Sequence, residues 1–168
     1  MRIFLIGFMG CGKTTLGKRL AQKMGCDFID LDHQLEQAAG VSVADYFSSN
    51  GEEAFRLLEK QTLNTLHLPT HCIISTGGGT PCYYDNMEFM NSNGITVYLN
   101  MPALALAKRL EHGKHKRPLI AHLDENQLVE FIEAKLKERA PFYKRSFLTV
   151  NGINITPERV QNELFQIF

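Results

Sequence analysis

Short apolar runs alternate with segments of helical spacing along the whole chain. Four runs rich in β-branched and aromatic residues, Ile3–Ile6, Phe28–Leu31, Cys72–Ser75 and Ile95–Leu99, have the length and make-up of buried strands, and Phe147–Val150 is a weaker fifth. Between them apolar side chains recur once per helical turn, as at Leu16, Leu20 and Met24 after the first run and at Phe55, Leu58, Thr62 and Leu66 before the third. Strand alternating with helix predicts a parallel α/β sheet. Ser42 with Asp45, and Thr156-Pro157-Glu158, are expected helix starts; Gly25, Gly40 and Gly94 are expected stops. Residues 112–126 are the least periodic and carry many charges, so a mobile surface loop is expected there.

Composition narrows the class. A chain of 168 residues makes one domain, 1–168, the expectation, since no repeat, low-complexity tract or linker divides it. Hydrophobic residues at 44% and charged residues at 21% exclude a disordered chain, a collagenous repeat and a small disulfide scaffold. Lys plus Arg (18) balances Asp plus Glu (18), so neither nucleic acid nor a membrane surface is expected as a partner. Cys11, Cys26, Cys72 and Cys82 show no C-x-x-C spacing and read as free thiols in a reducing cytoplasm. The apolar start of the chain is broken at Gly7, short of a signal sequence, and no run approaches the roughly 20 residues of a membrane span.

Chemistry enters after the first strand. Gly7-Phe8-Met9-Gly10-Cys11-Gly12-Lys13-Thr14 matches G-x-x-x-x-G-K-[ST] at every fixed position, between an expected strand and an expected helix. Glycines let consecutive N–H groups turn towards phosphate oxygens, and the helix N-terminus adds its positive end. Lys13 supplies a cation for the β- and γ-phosphates, and the Thr14 hydroxyl can ligate Mg2+. The bland alternative, a glycine turn with a solvated lysine, does not account for both flanks. Cys11, inside the loop, is read as a buried spacer, with alkylation as the alternative.

The second strand ends in Asp30-Leu31-Asp32, and strand alternation would put both carboxylates on one side of the sheet, at the edge where ligands of open α/β sheets bind. A kinase needs one acid near the metal and one near the acceptor hydroxyl. Asp32 as a mere cap of a helix beginning at His33 is the structural alternative. After the third strand, Gly77-Gly78-Gly79 would let a ligand lie against bare backbone, or would form a plain flexible turn.

In these motifs, together with Gly51-Glu52-Glu53-Ala54-Phe55-Arg56-Leu57-Leu58-Glu59, Arg117-Pro118-Leu119 and Arg139-Ala140-Pro141-Phe142-Tyr143, the chain resembles the shikimate kinases over nearly its whole length. The resemblance implies a three-layer α/β sandwich with a five-stranded parallel sheet in the order 2-3-1-4-5, the P-loop kinase fold. It also implies a substrate-binding helical region at about 32–66 and a mobile lid at about 112–126. The implied reaction is phosphorylation of shikimate by ATP with Mg2+, by a monomer. Shikimate would be bound by Asp32, Arg56, Gly78, Gly79 and Arg139, with Glu59 orienting Arg56. ATP would be bound by Gly10, Cys11, Gly12, Lys13, Thr14, Thr15, Arg109, Arg117 and Pro157. Catalysis would rest on Asp32, Lys13 and Arg117, and the metal on Thr14 and, through water, Asp30. Many members carry an arginine in the adenine loop; Asn151–Ile155 has none, so base selectivity does not follow from the resemblance. His33, His67, His71, His112, His115 and His122 show no ligand spacing and are assigned no chemistry. A kinase of another hydroxy acid, such as gluconate, and a nucleotide-binding module without catalysis are the rival functions.

Charge is unevenly spread. Residues 13–23 hold four basic groups and no acid, 108–117 and 135–145 each hold five against one, and 32–60 hold six acids against two bases. The neutral total conceals basic segments suited to phosphates and a carboxylate.

Overall fold

Alternate residues of β1 (Arg2–Ile6) leave opposite faces of the strand, and both faces are covered: Ile3 and Leu5 enter one apolar cluster, Phe4 and Ile6 another. A parallel strand buried on both sides reads as a continuous apolar run for this reason. The computed structural model describes residues 1–167. The remaining strands are β2 (Asp27–Asp30), β3 (Cys72–Ser75), β4 (Ile95–Asn100) and β5 (Leu148–Asn151). All neighbours are parallel and the order is β2-β3-β1-β4-β5, as expected.

The helices are α1 (Lys13–Met24), α2 (Leu31–Ala39), α3 (Val43–Thr65), α4 (Asn86–Asn93), α5 (Ala103–Glu111), α6 (Glu125–Tyr143) and α7 (Pro157–Phe165). Leu16 and Leu20 of α1, Leu106 and Leu110 of α5, Leu128 and Ile132 of α6, and Val160 and Leu164 of α7 cover one face of the sheet. Leu31 and Leu35 of α2, Phe55 and Leu63 of α3, and Met87 and Met90 of α4 cover the other. Each of these side chains contributes roughly 1.5–3 kcal/mol of apolar burial.

The expected punctuation is present. Ser42 accepts from Asp45 N–H (3.1 Å) and Thr156 from Arg159 N–H (3.3 Å), while Gly25, Gly40 and Gly94 close α1, α2 and α4. Two expectations are corrected, and one break was not foreseen. β2 stops at Asp30, whose carboxylate accepts from the N–H groups of Asp32 (3.0 Å) and His33 (3.4 Å) and so caps α2. Asp32 therefore lies in the first turn of a helix, neither on the strand nor at the cap. Within α3, Gly51 takes φ 82° and ψ 173°, which breaks the helix into two rods the spacing pattern did not reveal. Residues 112–126 are not uniformly surface loop: Lys114–Lys116 form a 3-10 turn, Ile120 is buried in the core, and Lys114 Nζ donates to the Leu123 carbonyl at 2.6 Å.

Candidate active site

Because every strand runs the same way, the ends of β1, β2 and β3 share one edge, where backbone groups and helix N-termini are available to a ligand. The loop from β1 into α1 carries φ values of 145°, 79° and 96° at Gly7, Gly10 and Gly12. Close packing also forbids larger residues: a Cβ on Gly10 would sit 2.7 Å from Leu110 Cδ2, and one on Gly7 would sit 2.9 Å from Cys11 Sγ. Cys11 is buried against this loop, the spacer position expected of it. Lys13 is itself buried, and its ammonium donates to the carbonyls of Gly7 (2.7 Å) and Phe8 (3.0 Å), which pins it along the inner side of the loop. Thr14 and Thr15 follow, exposed, in the first turn of α1.

Thr14 Oγ1 donates to Asp30 Oδ2 at 2.9 Å and lies 3.3 Å from Ser75 Oγ. Thr14 has one hydroxyl proton and Asp30 takes it, so the Ser75 hydroxyl is the donor in the second contact. Strand register explains the meeting, since Asp30 of β2 and Ser75 of β3 are direct partners. Two hydroxyls and a carboxylate form a set of hard oxygen atoms that fits Mg2+, an ion that takes oxygen ligands and keeps several waters. Asp32 stands beside this set at the cleft mouth, accessible to solvent yet flanked by much protein. Its carboxyl pKa is pushed up to about 6, first by burial and then by the charges of Asp30 and Glu59, with Lys13 pulling the other way.

The three glycines after β3 back onto side chains of the protein. A Cβ on Gly79 would lie 2.5 to 2.7 Å from the Arg56 guanidinium, one on Gly78 would lie 3.3 Å from Arg139 Nη1 and 3.0 Å from the Met9 nitrogen, and one on Gly77 would lie 3.0 Å from Glu59 Oε2 and 3.6 Å from Asp32 Oδ1. Bare backbone is thus required so that two cations and two acids can converge on it, which replaces the flexible-turn reading. Arg56 and Arg139 are 8% and 7% exposed. Arg56 Nη1 donates to Glu59 Oε1 (3.0 Å), and Glu59, 1% exposed, also accepts from Thr80 Oγ1 (2.7 Å). Arg139 lies over the Phe8 ring at 5.2 Å. Arg56 Nε and Arg139 Nη1 are buried N–H groups without a hydrogen-bond partner.

The shikimate kinase family model matches residues 9–168. A shikimate kinase from Parabacteroides distasonis is 44% identical over 170 residues, covering 99% of this chain and 98% of the relative. The chain belongs to the shikimate kinase family. Among solved structures, the shikimate kinase of Bacteroides thetaiotaomicron superposes with a TM-score of 0.91 at 41% identity, covering 98% of each chain. A shikimate kinase from Acinetobacter baumannii, solved in complex with shikimate, superposes at 0.85 with 32% identity, covering 99% of this chain and 91% of that one.

Set against the shikimate kinase positions named from the sequence, the fold gathers Gly10, Cys11, Gly12, Lys13, Thr14, Asp30, Asp32, Arg56, Gly78, Gly79 and Arg139 along one sheet edge. Arg109 reaches the cradle from α5, its Nη2 3.1 Å from the Cβ position of Gly12. Pro157 lines an open groove of about 530 Å³ with Arg19, Lys23 and Thr156. Arg117 stands apart: its Nη1 lies 3.5 Å from the Gly113 carbonyl, and among the described residues no hydrogen bond or ion pair joins it to the cradle. Sequence reading missed Ser75, whose position at the end of β3, two residues before the glycines, was the available signal. It also missed Tyr143, which donates to the Gly78 carbonyl at 2.6 Å while stacked on Tyr98, and the pair Glu52 and Tyr83.

Proposed function

We propose that the gathered residues carry out the family's reaction, transfer of the ATP γ-phosphoryl group to the 3-hydroxyl of shikimate, giving 3-phosphoshikimate and ADP. The observation that carries this reading is the pair of buried guanidinium groups with unpaired N–H donors at Arg56 and Arg139, facing the same glycine run as Asp32. A buried cation with an unmet donor is costly, and a bound carboxylate removes that cost with charge-assisted hydrogen bonds. Arg56 and Arg139 hold the acceptor's carboxylate, with Gly78 and Gly79 closing the same wall, and Asp32 holds the hydroxyl end.

The acceptor oxygen forms a bond to the γ-phosphorus, its proton passes to Asp32, and the bond from the γ-phosphorus to the bridging oxygen breaks, leaving ADP. A pKa near 6 leaves Asp32 ionised at neutral pH yet basic enough to take that proton. Lys13 holds the β- and γ-phosphates, and the loop N–H groups around Gly10, Cys11 and Gly12, with Thr15, hold the rest of the chain of phosphates. Thr14 and, through water, Asp30 would hold Mg2+, which supplies charge neutralisation on the phosphates when bound. Residues 112–126 form the lid, which brings Arg117 to the transferring phosphoryl group on closing. Arg109 and Pro157 flank the base. The proposed working unit is a monomer of one domain, as the family likeness implies. ATP use and four free thiols suit the cytoplasm; among the described residues no helix is long and apolar enough to cross a membrane.

A coupled assay of ADP release with shikimate, with gluconate and without acceptor tests the reading. Turnover with shikimate alone is expected. Equal turnover with gluconate would remove the acceptor assignment, and equal release without acceptor would leave only a nucleotide hydrolase.

A further inference from the structure

Glu52 and Tyr83 have no place in the reaction as described, yet both touch the arginine that holds the acceptor. Arg56 is fixed on one side by Glu59, at 3.0 Å. On another side its guanidinium lies over the Tyr83 ring, 4.2 Å from the centroid, which is cation–π distance. Glu52 Oε1 lies 3.6 Å from Arg56 Nε, close enough for an ion pair and too far for a hydrogen bond. That same oxygen accepts a hydrogen bond from Tyr83 Oη at 2.8 Å. The bond from Tyr83 is the main cause of a Glu52 pKa below the usual carboxylate range, so this carboxylate is ionised at neutral pH.

An ionised carboxylate 3.6 Å from a buried guanidinium nitrogen competes directly with any carboxylate ligand of that guanidinium. Arg56 Nε is the buried donor left without a partner. We infer that Tyr83 is a positioning residue that holds Glu52 off Arg56: by taking Oε1 into its own hydrogen bond, it keeps the Nε–H of Arg56 free for the acceptor's carboxylate. Backbone geometry supports the arrangement from both ends. Glu52 follows Gly51, whose non-helical φ and ψ set the direction in which the second rod of α3 begins. Tyr83 follows the 3-10 turn Thr80–Cys82, which is tied to Glu59 through Thr80. The inference rests on the assignment of Arg56 to the acceptor's carboxylate.

A double-mutant cycle on the full chain tests it, with KM and kcat for shikimate and calorimetric shikimate affinity as readouts. Tyr83→Phe keeps the ring over Arg56 and removes only the hydroxyl. It should raise KM and Kd for shikimate by roughly three- to tenfold, the scale of one hydrogen bond, with kcat and the KM for ATP unchanged. In a Glu52→Gln background no anion is left to compete, so the same Tyr83→Phe change should alter KM less than twofold. An equal rise in both backgrounds would mean that the hydroxyl acts on substrate or fold directly and would overturn the inference, as would no rise in either. Arg56→Lys separates the two levels. If it leaves shikimate affinity unchanged, the assignment of Arg56 fails; if it weakens affinity while Tyr83→Phe does not, only the role of Tyr83 fails.

Discussion

Replacing Asp32 by Asn should stop turnover while raising the midpoint of thermal unfolding at pH 7, because the same crowding that makes Asp32 a usable base makes its charge unfavourable to the fold. Its folded pKa of about 6 lies above the ordinary 3.8, so between those values the folded state binds more protons than the unfolded one. That contribution is fully present below pH 3.8 and is lost as pH rises through 6. Water at the cleft mouth screens part of the effect, leaving about 1 kcal/mol, or roughly 2–4 °C, to be gained by the amide, which differential scanning calorimetry can read. In the wild type, kcat/KM for shikimate should show an acidic limb near pH 6; a limb absent in the range 5 to 7 would separate Asp32 from the proton transfer. Gly79→Ala probes the other half of the cleft. Its backbone, at φ −90° and ψ −12°, suits any residue, so the whole effect comes from a methyl group 2.5 to 2.7 Å from the Arg56 guanidinium. Steady-state kinetics should show a shikimate KM raised at least tenfold, with the KM for ATP little changed.

At the scale of elements, two junctions do the positioning. β2 passes into α2 with no intervening loop because one carboxylate, Asp30, both caps the helix and accepts from Thr14, so the strand end, the cap and the oxygen cluster are one point in space. The break in α3 at Gly51 is the second. Its φ and ψ fall in a region that is open essentially to glycine alone, and nothing lies within 4 Å of the position a Cβ would take. Gly51→Ala should therefore cost about 1–3 kcal/mol from backbone strain alone, visible as a lowered denaturation midpoint. A variant as stable as the wild type would show that the two rods can join at another angle. If the angle changes, Glu52 moves with it, and shikimate affinity should fall in the same variant.

For the whole molecule, the acceptor cleft stores a binding site as unmet donors, and ligand should repay the fold. Shikimate at about a hundred times its Kd adds about 2.7 kcal/mol to folding stability, a rise of roughly 5–11 °C for a chain of this size. Arg139→Ala should abolish most of that rise at the same concentration, and an unchanged shift would take Arg139 out of the site. The balance of 18 basic and 18 acidic residues takes on meaning at this scale. α1 carries four basic groups and no acid, whereas α2 and α3 together carry six acids and two bases, so charge is segregated by element within a neutral molecule.

The strand runs, the phosphate loop and the caps at Ser42 and Thr156 were legible in the chain through local spacing, because each depends on residues close in sequence; the five-stranded order was legible only through family likeness. Asp30 and Asp32 could be seen as a functional pair, but not their division into cap and free carboxyl, since a hydrogen bond to the first turn of α2 decides where β2 ends. The pair Arg56 and Glu59 lies some twenty residues from the pair Gly79 and Tyr83. That they form one cluster, that the glycines make room for guanidinium groups, and that Ser75 stands beside Thr14 follow from parallel strand register and from Gly51. Such contacts are set by packing between elements, which no local pattern records.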